Sequence, residues 1–410
     1  MPPKSRTSAT AKGGTQEDVR RHNLGTVLQH LHLAGPLSRA ELTARMGLNR
    51  STIAALVTEL VALGAVREER PGGSQTAAGR PSLVVRPADD HLQVLAADVG
   101  VDRVVVALVG LGGRVVVRRR RRLTSTSPTA VAALIRRIVE AVVADPLAGD
   151  HIVGLGVSVP GVIRHSDGCV RFAPNLGWVD APFGELLTTQ LGGLPVRVGN
   201  DADLGVLAEH RRGAARGYDD VVFLAGEVGV GGGIIVGGVP LAGAGGYAGE
   251  LGHVLVRPDG GQCRCGARGC WETEIGGPAI ARALGLGAVS TEDLVEAMRC
   301  SADEGGGRLD GVAHHVGLGL ATIVNILNPR LVIIGGLLRE LFPSTEPLVR
   351  SSLDAAALGA TAEQVRLTTP ELGGDAVLVG ASELAWQDVL DDPAGTLRHR
   401  HRLAVRASAS

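Results

Sequence analysis

From residue 92 onward the chain alternates short Val-rich apolar runs with longer stretches of helical period, and this alternation constrains its fold more than any other feature. "LQVLAADVG", "RVVVALVG", "GRVVVRR", "VGLGVSV", "VRVGN", "VVFLAG", "GGIIVGG" and "RLVIIGG" have the length and β-branched content of strands. "PTAVAALIRRIVEAVVA" and "LGLATIVNIL" are too long for strands and read as helices. Strands alternating with helices predict an α/β fold. Composition agrees: 45% of residues are hydrophobic, only 2% are aromatic, and 59 are glycine, which suits a Val-rich sheet with many tight turns. The 410 residues suffice for two or three domains with a large core.

Before residue 92 the pattern differs. Residues 1–18 are polar and turn-rich and predict a disordered tail. In "VRRHNLGTVLQHLHLAG", Leu24, Val27, Leu28 and Leu31 follow the helical period, and Gly35-Pro36 ends that helix. Ser38 and Glu41 form a capping-box pair at the start of "SRAELTARMG", which stops at Gly47. A third helix, "NRSTIAALVTELVALG", runs to Gly64. Two short strands then flank a Gly-rich tip. Three helices and a wing over residues 19–90 predict a winged helix-turn-helix. The helix after the turn enters the major groove in such modules. Its first residues, Asn49, Arg50, Ser51 and Thr52, are therefore the candidate base readers, with Arg50 suited to guanine. Arg67, Arg70 and Arg80 of the wing are candidates for the backbone or a narrow minor groove. The competing reading is a small protein-interaction module in which Ser51 merely caps its helix. A net charge of -1 gives no global attraction to nucleic acid, so any DNA contact rests on this local patch. Arg118–Arg122 reads as the solvated end of a hairpin in the next domain. "DDPAGTLRHRHRLAVRASAS", residues 391–410, reads as a flexible basic tail.

The chain starts without an apolar signal segment and has no uninterrupted apolar window of about 18 residues, so a cytoplasmic protein with no membrane contact is expected. In that reducing setting, clustered thiols bind metal or do redox work more often than they form disulfides. Three of the five cysteines lie in "CRCGARGCWE". Cys263, Cys265 and Cys270, with His253 of "GELGH", make the donor set of a closed, structural Zn2+ site. Unligated or redox-active thiols are the alternative. Cys169 and Cys300 read as packed thiols. Glu250 and Glu272 flank these donors, so a metal would fix two carboxylates in one place, suited to sugar hydroxyls; alternatively they only solvate the loop.

These residues resemble the ROK family, named for repressors, open reading frames and kinases. "CRCGARGCWE" is similar to its C-x-C-G-x-x-G-C-x-E, "GELGH" to its E-x-G-H, and "VRVGNDADLGVLAE" to its N-D turn. "RLVIIGG" resembles the Gly-Gly turn on its adenosine side, and residues 38–64 resemble the helix-turn-helix of its longer, regulatory members. The likeness covers about residues 19–390. It implies an actin-like, two-lobed sugar-kinase fold over 91–390, with a lobe boundary near 203 and a C-terminal helix about 375–390 returning to the first lobe. It implies that Asn200, Asp201, Glu250, His253 and Glu272 face a sugar or sugar phosphate, with Asn175 an added contact. In kinases of the family the position of Asp201 is the general base. Two phosphate loops depart from the kinase pattern. "DVGVDR" has Val101 and Asp102 where Gly and Thr belong, and "GEVGVGGG" has Glu227 and Val228 in place of Gly-Thr. Each change loses a hydroxyl and adds an acid, which repels a phosphate. ATP binding is therefore not expected. The expectation is a non-enzymatic, sugar-responsive repressor acting as a homodimer or homotetramer on a palindromic double-stranded operator. The alternatives are an ATP-dependent sugar kinase and an adaptor whose effector is a protein.

Overall fold

The computed structural model describes residues 15–70, 83–303 and 307–398. The chain opens with helix α1 (Gln16–Ala34), started by a capping box between Thr15 and Asp18. Residues 15–18, expected in a disordered tail, thus belong to the start of α1, and residues 1–14 lie outside the described residues. Strand β1 (Leu37–Ser38) leads into α2 (Arg39–Met46), where Ser38 and Glu41 cap reciprocally and Gly47 closes the helix with φ 64°. Helix α3 (Arg50–Ala62) precedes β2 (Val66–Glu69) and β3 (Val84–Pro87). These strands form an antiparallel sheet in the order β1-β3-β2, in which β1 is a third wing strand too short to show in the sequence pattern. Arg80 and the rest of the wing tip lie outside the described residues.

The first lobe follows. It comprises β4 (Leu92–Val99), β5 (Arg103–Gly110), β6 (Val115–Arg122), α4 (Pro128–Val143), β7 (His151–Val159), β8 (Val162–Arg164), β9 (Cys169–Ala173), β10 (Trp178–Ala181), α5 (Phe183–Gln190) and β11 (Val196–Asn200). Five of these strands form one mixed sheet, β11-β7-β4-β5-β6, and β10-β9-β8 form a small second one. Central β4 is buried on both faces, which is why it reads as an unbroken apolar run. Edge strand β6 instead carries the arginine run. Long charged side chains on an edge discourage pairing with another chain. Three of them pair locally: Arg118 with Asp375, Arg119 with Asp145 and Arg120 with Glu292.

Helix α6 (Asp201–Arg212) crosses to the second lobe, built from β12 (Val221–Gly226), β13 (Val230–Val236), β14 (Val239–Pro240), α7 (Trp271–Ile275), α8 (Gly277–Ala283), α9 (Thr291–Asp303), α10 (Asp310–Leu327), β15 (Leu331–Gly336), α11 (Leu338–Ala356), α12 (Gly359–Ala362) and β16 (Arg366–Thr368). Its sheet runs β14-β13-β12-β15-β16. Helices α10 and α11 cover one face and α6 the other, through Ala202 and Val206 on Val221, Phe223 and Ile333. The chain then returns as α13 (Ala376–Asp391), which lies on β4 and β7. Helices α6 and α13 meet between the two sheets. Their backbones come so close that a Cβ on Gly380 would lie 1.9 Å from the Leu204 carbonyl oxygen.

Three expectations need correction. A lobe boundary near 203 falls inside α6, because Asn200 caps a helix that continues unbroken to Arg212. The supposed loose tail from 391 instead contains α14 (Pro393–Arg398), where Pro393 starts a turn and Leu397 is buried against the core; residues 399–410 lie outside the described ones. Cys300 is exposed on α9, whose packed face is formed by Leu294 and Met298; Cys169 is buried. The core of the N-terminal module is continuous with that of the first lobe. One continuous apolar cluster joins Leu24, Leu28 and Leu31 of α1 and Val57 of α3 to Leu378, Trp386 and Val389 of α13 and to Leu92 and Val94 of β4.

Candidate functional site

A cleft of about 300 Å³ opens between the lobes. The ends of several strands deliver its polar residues: Asp98 from β4, Asn200 and Asp201 from the β11–α6 junction, Glu227 from the β12–β13 turn, and Glu250, His253 and Glu272 from the segment before and within α7. Asn175 lines its mouth. All six expected sugar-facing residues are therefore brought to one cleft.

Their side chains are not equally free. Asn200 caps α6, accepting from the backbone N–H of Ala202 at 2.8 Å and of Asp203 at 3.2 Å, and its amide donates to the Gly161 carbonyl at 2.9 Å. It positions Asp201 more than it offers itself. Asn175 accepts from Arg264, the residue between two cysteines. Burial, then the neighbouring Glu227 and Asp98, push the Asp201 carboxyl up to about 7. Burial and Glu250 push Asp203 to about 7 as well. Asp98 and Glu227 are also raised, each chiefly by burial, with Arg103 opposing. Glu250 is raised by burial and Glu272.

The two phosphate-like loops sit on the far side of this cleft. Asp102 pairs with Arg103 at 3.4 Å, and the Glu227 N–H donates to the Gly229 carbonyl at 2.8 Å across the tight turn. An acid on each loop, Asp102 half-exposed and Glu227 largely buried, opposes a phosphate anion. The glycines that follow have a packing reason: Gly233 lies in β13, where a Cβ would come within 2.2 Å of the Ala202 carbonyl oxygen on α6.

Beside Glu250 and Glu272, the donor atoms of His253, Cys263, Cys265 and Cys270 all lie within 4.8 Å of one another. Cys265 and Cys270 sulfurs are 3.7 Å apart, and Cys263 Sγ is 3.6 Å from His253 Nδ1. A tetrahedral ion with bonds of about 2.3 Å has ligand–ligand edges of about 3.8 Å. Donor set and spacing both fit four-coordinate zinc. Cys263 and Cys270 are buried, and Glu272 Oε1 lies 2.8 Å from Cys263 Sγ, so the thiol cluster and a cleft carboxylate share one wall.

On the N-terminal module, Asn49 accepts from the Thr52 N–H and the Ser51 hydroxyl, both at 2.8 Å. Asn49, not Ser51, is the helix cap. Arg50 is exposed at the first position of α3. Arg67 pairs with Asp90 at 2.8 Å. Sequence reasoning passed over Asp203, one turn from the cap in a small adjoining pocket with Asn200 and Glu250, and Arg339, which lines the cleft from α11. The Asp201-x-Asp203 spacing was the available signal for the first; nothing local marks the second.

Residues 94–388 match the ROK family. The chain is 28% identical over 379 residues to the xylose repressor of Bacillus subtilis (strain 168), covering 92% of this chain and 98% of the repressor. It is 29% identical over 315 residues to the glucokinase of Streptomyces coelicolor, covering 71% of this chain and 96% of that enzyme. Among solved structures, a ROK family transcriptional regulator, a homologue of the E. coli MLC protein, superposes with TM-score 0.76 at 24% identity over 93% of this chain and 98% of that one. No helix among the described residues is long and apolar enough to cross a membrane.

Proposed function

The chain belongs to the ROK family, and from that membership we propose that it is a DNA-binding transcriptional regulator, a repressor of carbohydrate-utilisation genes, whose operator affinity is set by a sugar or sugar phosphate in the interlobe cleft. The observation that carries this reading over a kinase is the pair of acids, Asp102 and Glu227, on the two loops where the family's kinases hold phosphate. Coverage supports it. The repressor likeness spans 92% of the chain, whereas the glucokinase likeness leaves more than a quarter uncovered.

In this reading Asp201 and Glu250 hold sugar hydroxyls, with Asn175 and Glu272 at the mouth. Asp201 receives a hydroxyl without passing its proton to chemistry. His253, Cys263, Cys265 and Cys270 hold a structural zinc ion, which cross-links the loop carrying Glu250 and Glu272. Arg50 and Thr52 meet base edges, while Asn49 and Ser51 preform the helix end. Two copies place two α3 helices on a palindrome. Sugar releases DNA only if it binds the non-DNA arrangement more tightly.

The test is to titrate the purified protein onto labelled DNA from upstream of its own gene, at fixed salt, with and without a panel of sugars and sugar phosphates. Tight binding lost with one sugar is expected. Absence of specific binding, together with ATP turnover that Asp201→Ala abolishes, would restore the kinase.

A further inference from the structure

Far from the cleft, four polar side chains meet in the apolar cluster that joins the N-terminal module to the first lobe. His32 of α1 and Glu383 of α13 both have fully buried side chains, and their closest approach is 3.0 Å. Arg211 and Arg212, the last residues of α6, both donate to Glu383, Arg211 at 2.9 Å. Arg212 also donates to the carbonyls of His32 at 3.2 Å and Gly112 at 2.9 Å. The Gly112 N–H donates to His32 Nδ1 at 3.1 Å, and His32 Nε2 lies 3.0 Å from Glu383 and 2.7 Å from the Arg212 guanidinium. Burial lowers the His32 pKa, against the opposing pull of Glu383. Trp386 stands beside it, ring centroids 5.9 Å apart. Three elements that are remote in sequence are thus pinned at one point, where a missing partner would leave a buried charge unpaired.

The other end of α6 is the Asn200–Asp201 junction in the cleft. Its twelve residues span about 18 Å. Along that length α6 touches the second-lobe sheet on one side and α13 on the other. A change in the angle between the lobes therefore has to be taken up along α6.

We propose that α6 is a relay: its first turn senses the occupant of the cleft, and its last turn, through Arg211 and Arg212 on Glu383 and His32, carries that change to the seat of α1 and so to the DNA-reading helices. The proposal rests on the regulator reading and adds its route. His32, Arg211, Arg212 and Glu383 are positioning residues; none touches sugar or DNA. A relay of this kind needs two arrangements of α6 that the sugar favours unequally.

The test uses the full chain as wild type, Glu383→Gln, and Arg211→Ala, the last because Arg211 is partly exposed and its loss is the milder change. Amide exchange is followed across Leu24–His32 of α1, with α4 as internal control. Protection in α1 should fall at least tenfold in the variants while α4 is unchanged; equal protection overturns the fastening. Operator affinity is then measured with and without the same panel of sugars and sugar phosphates, xylose and glucose among them, alongside direct sugar titrations and thermal midpoints. Sugar affinity should stay within about threefold of wild type, while the sugar-induced change in operator affinity shrinks at least tenfold. Arg211→Lys should restore part of it. A purely structural role lowers the midpoint but leaves the induced ratio intact, and that result overturns the relay. A wild-type chain that binds operator but responds to no member of the panel overturns the sugar-regulator reading and the relay with it, while amide exchange still judges the fastening.

Discussion

Asp201 and Asp203 keep a proton over a range in which a free carboxyl has lost it. Both are pushed from the ordinary 3.8 to about 7, first by burial. Between those values the folded chain binds more protons than the unfolded one, so their contribution to stability falls as pH rises through that window. Asp203→Asn removes the cost of ionising a buried group, and its thermal midpoint should exceed wild type by more at about pH 8 than at about pH 5. An equal gain at both values would show that Asp203 ionises freely. Asn49 illustrates a different point. As a cap it should cost about 1 kcal/mol when changed to Ala, and Asp should restore it, as chemical denaturation would show. A side chain that reads bases would lose operator affinity in both variants. Residue chemistry was legible where it is local: the thiol cluster spans Cys263–Cys270, and its fourth donor lies ten residues upstream. The His32–Glu383 contact bridges 351 positions, and nothing near either residue announces the other.

Elements were legible wherever a period or a cap shaped them. The stripe Leu24, Val27, Leu28, Leu31 and the Ser38–Glu41 box locate α1 and α2 from sequence. β1, with two residues, and the strands β8 to β10 have too little pattern to separate from loops. α14 was hidden by the basic residues that follow it. Pairing between helices was invisible for another reason, since it depends on absent atoms. Gly380 lets α13 touch the backbone of α6, so Gly380→Ala should cost about 1–3 kcal/mol in urea unfolding by forcing the helices apart. A variant as stable as wild type would show that the two helices separate at no cost. The loop from His253 to Cys270 has little regular structure to hold it. Cys265→Ser should lower bound zinc, measured by atomic emission, and weaken sugar response together. Normal induction without zinc would detach the metal from the cleft.

At the scale of the whole molecule, the α/β class and two-lobed plan followed from the alternation of strands and helices and from the family likeness. The join at residue 90 did not, because composition changes there while the core does not. Leu92 and Val94 pack in the same cluster as Leu28 and Val57. A fragment beginning at residue 91 should therefore expose the α1-facing side of α13 and bind a hydrophobic dye or self-associate in sedimentation. A monomeric, dye-silent fragment would show that the two parts pack independently. The shared core also bears on how such proteins can change targets. If the N-terminal module reads DNA as proposed, its seat on α13 means that it cannot be exchanged between relatives as a free cassette, since the graft would meet a foreign seat. On the same reading, new operators are more accessible through substitutions on the outward face of α3, around Arg50, where side chains can vary without disturbing what lies beneath.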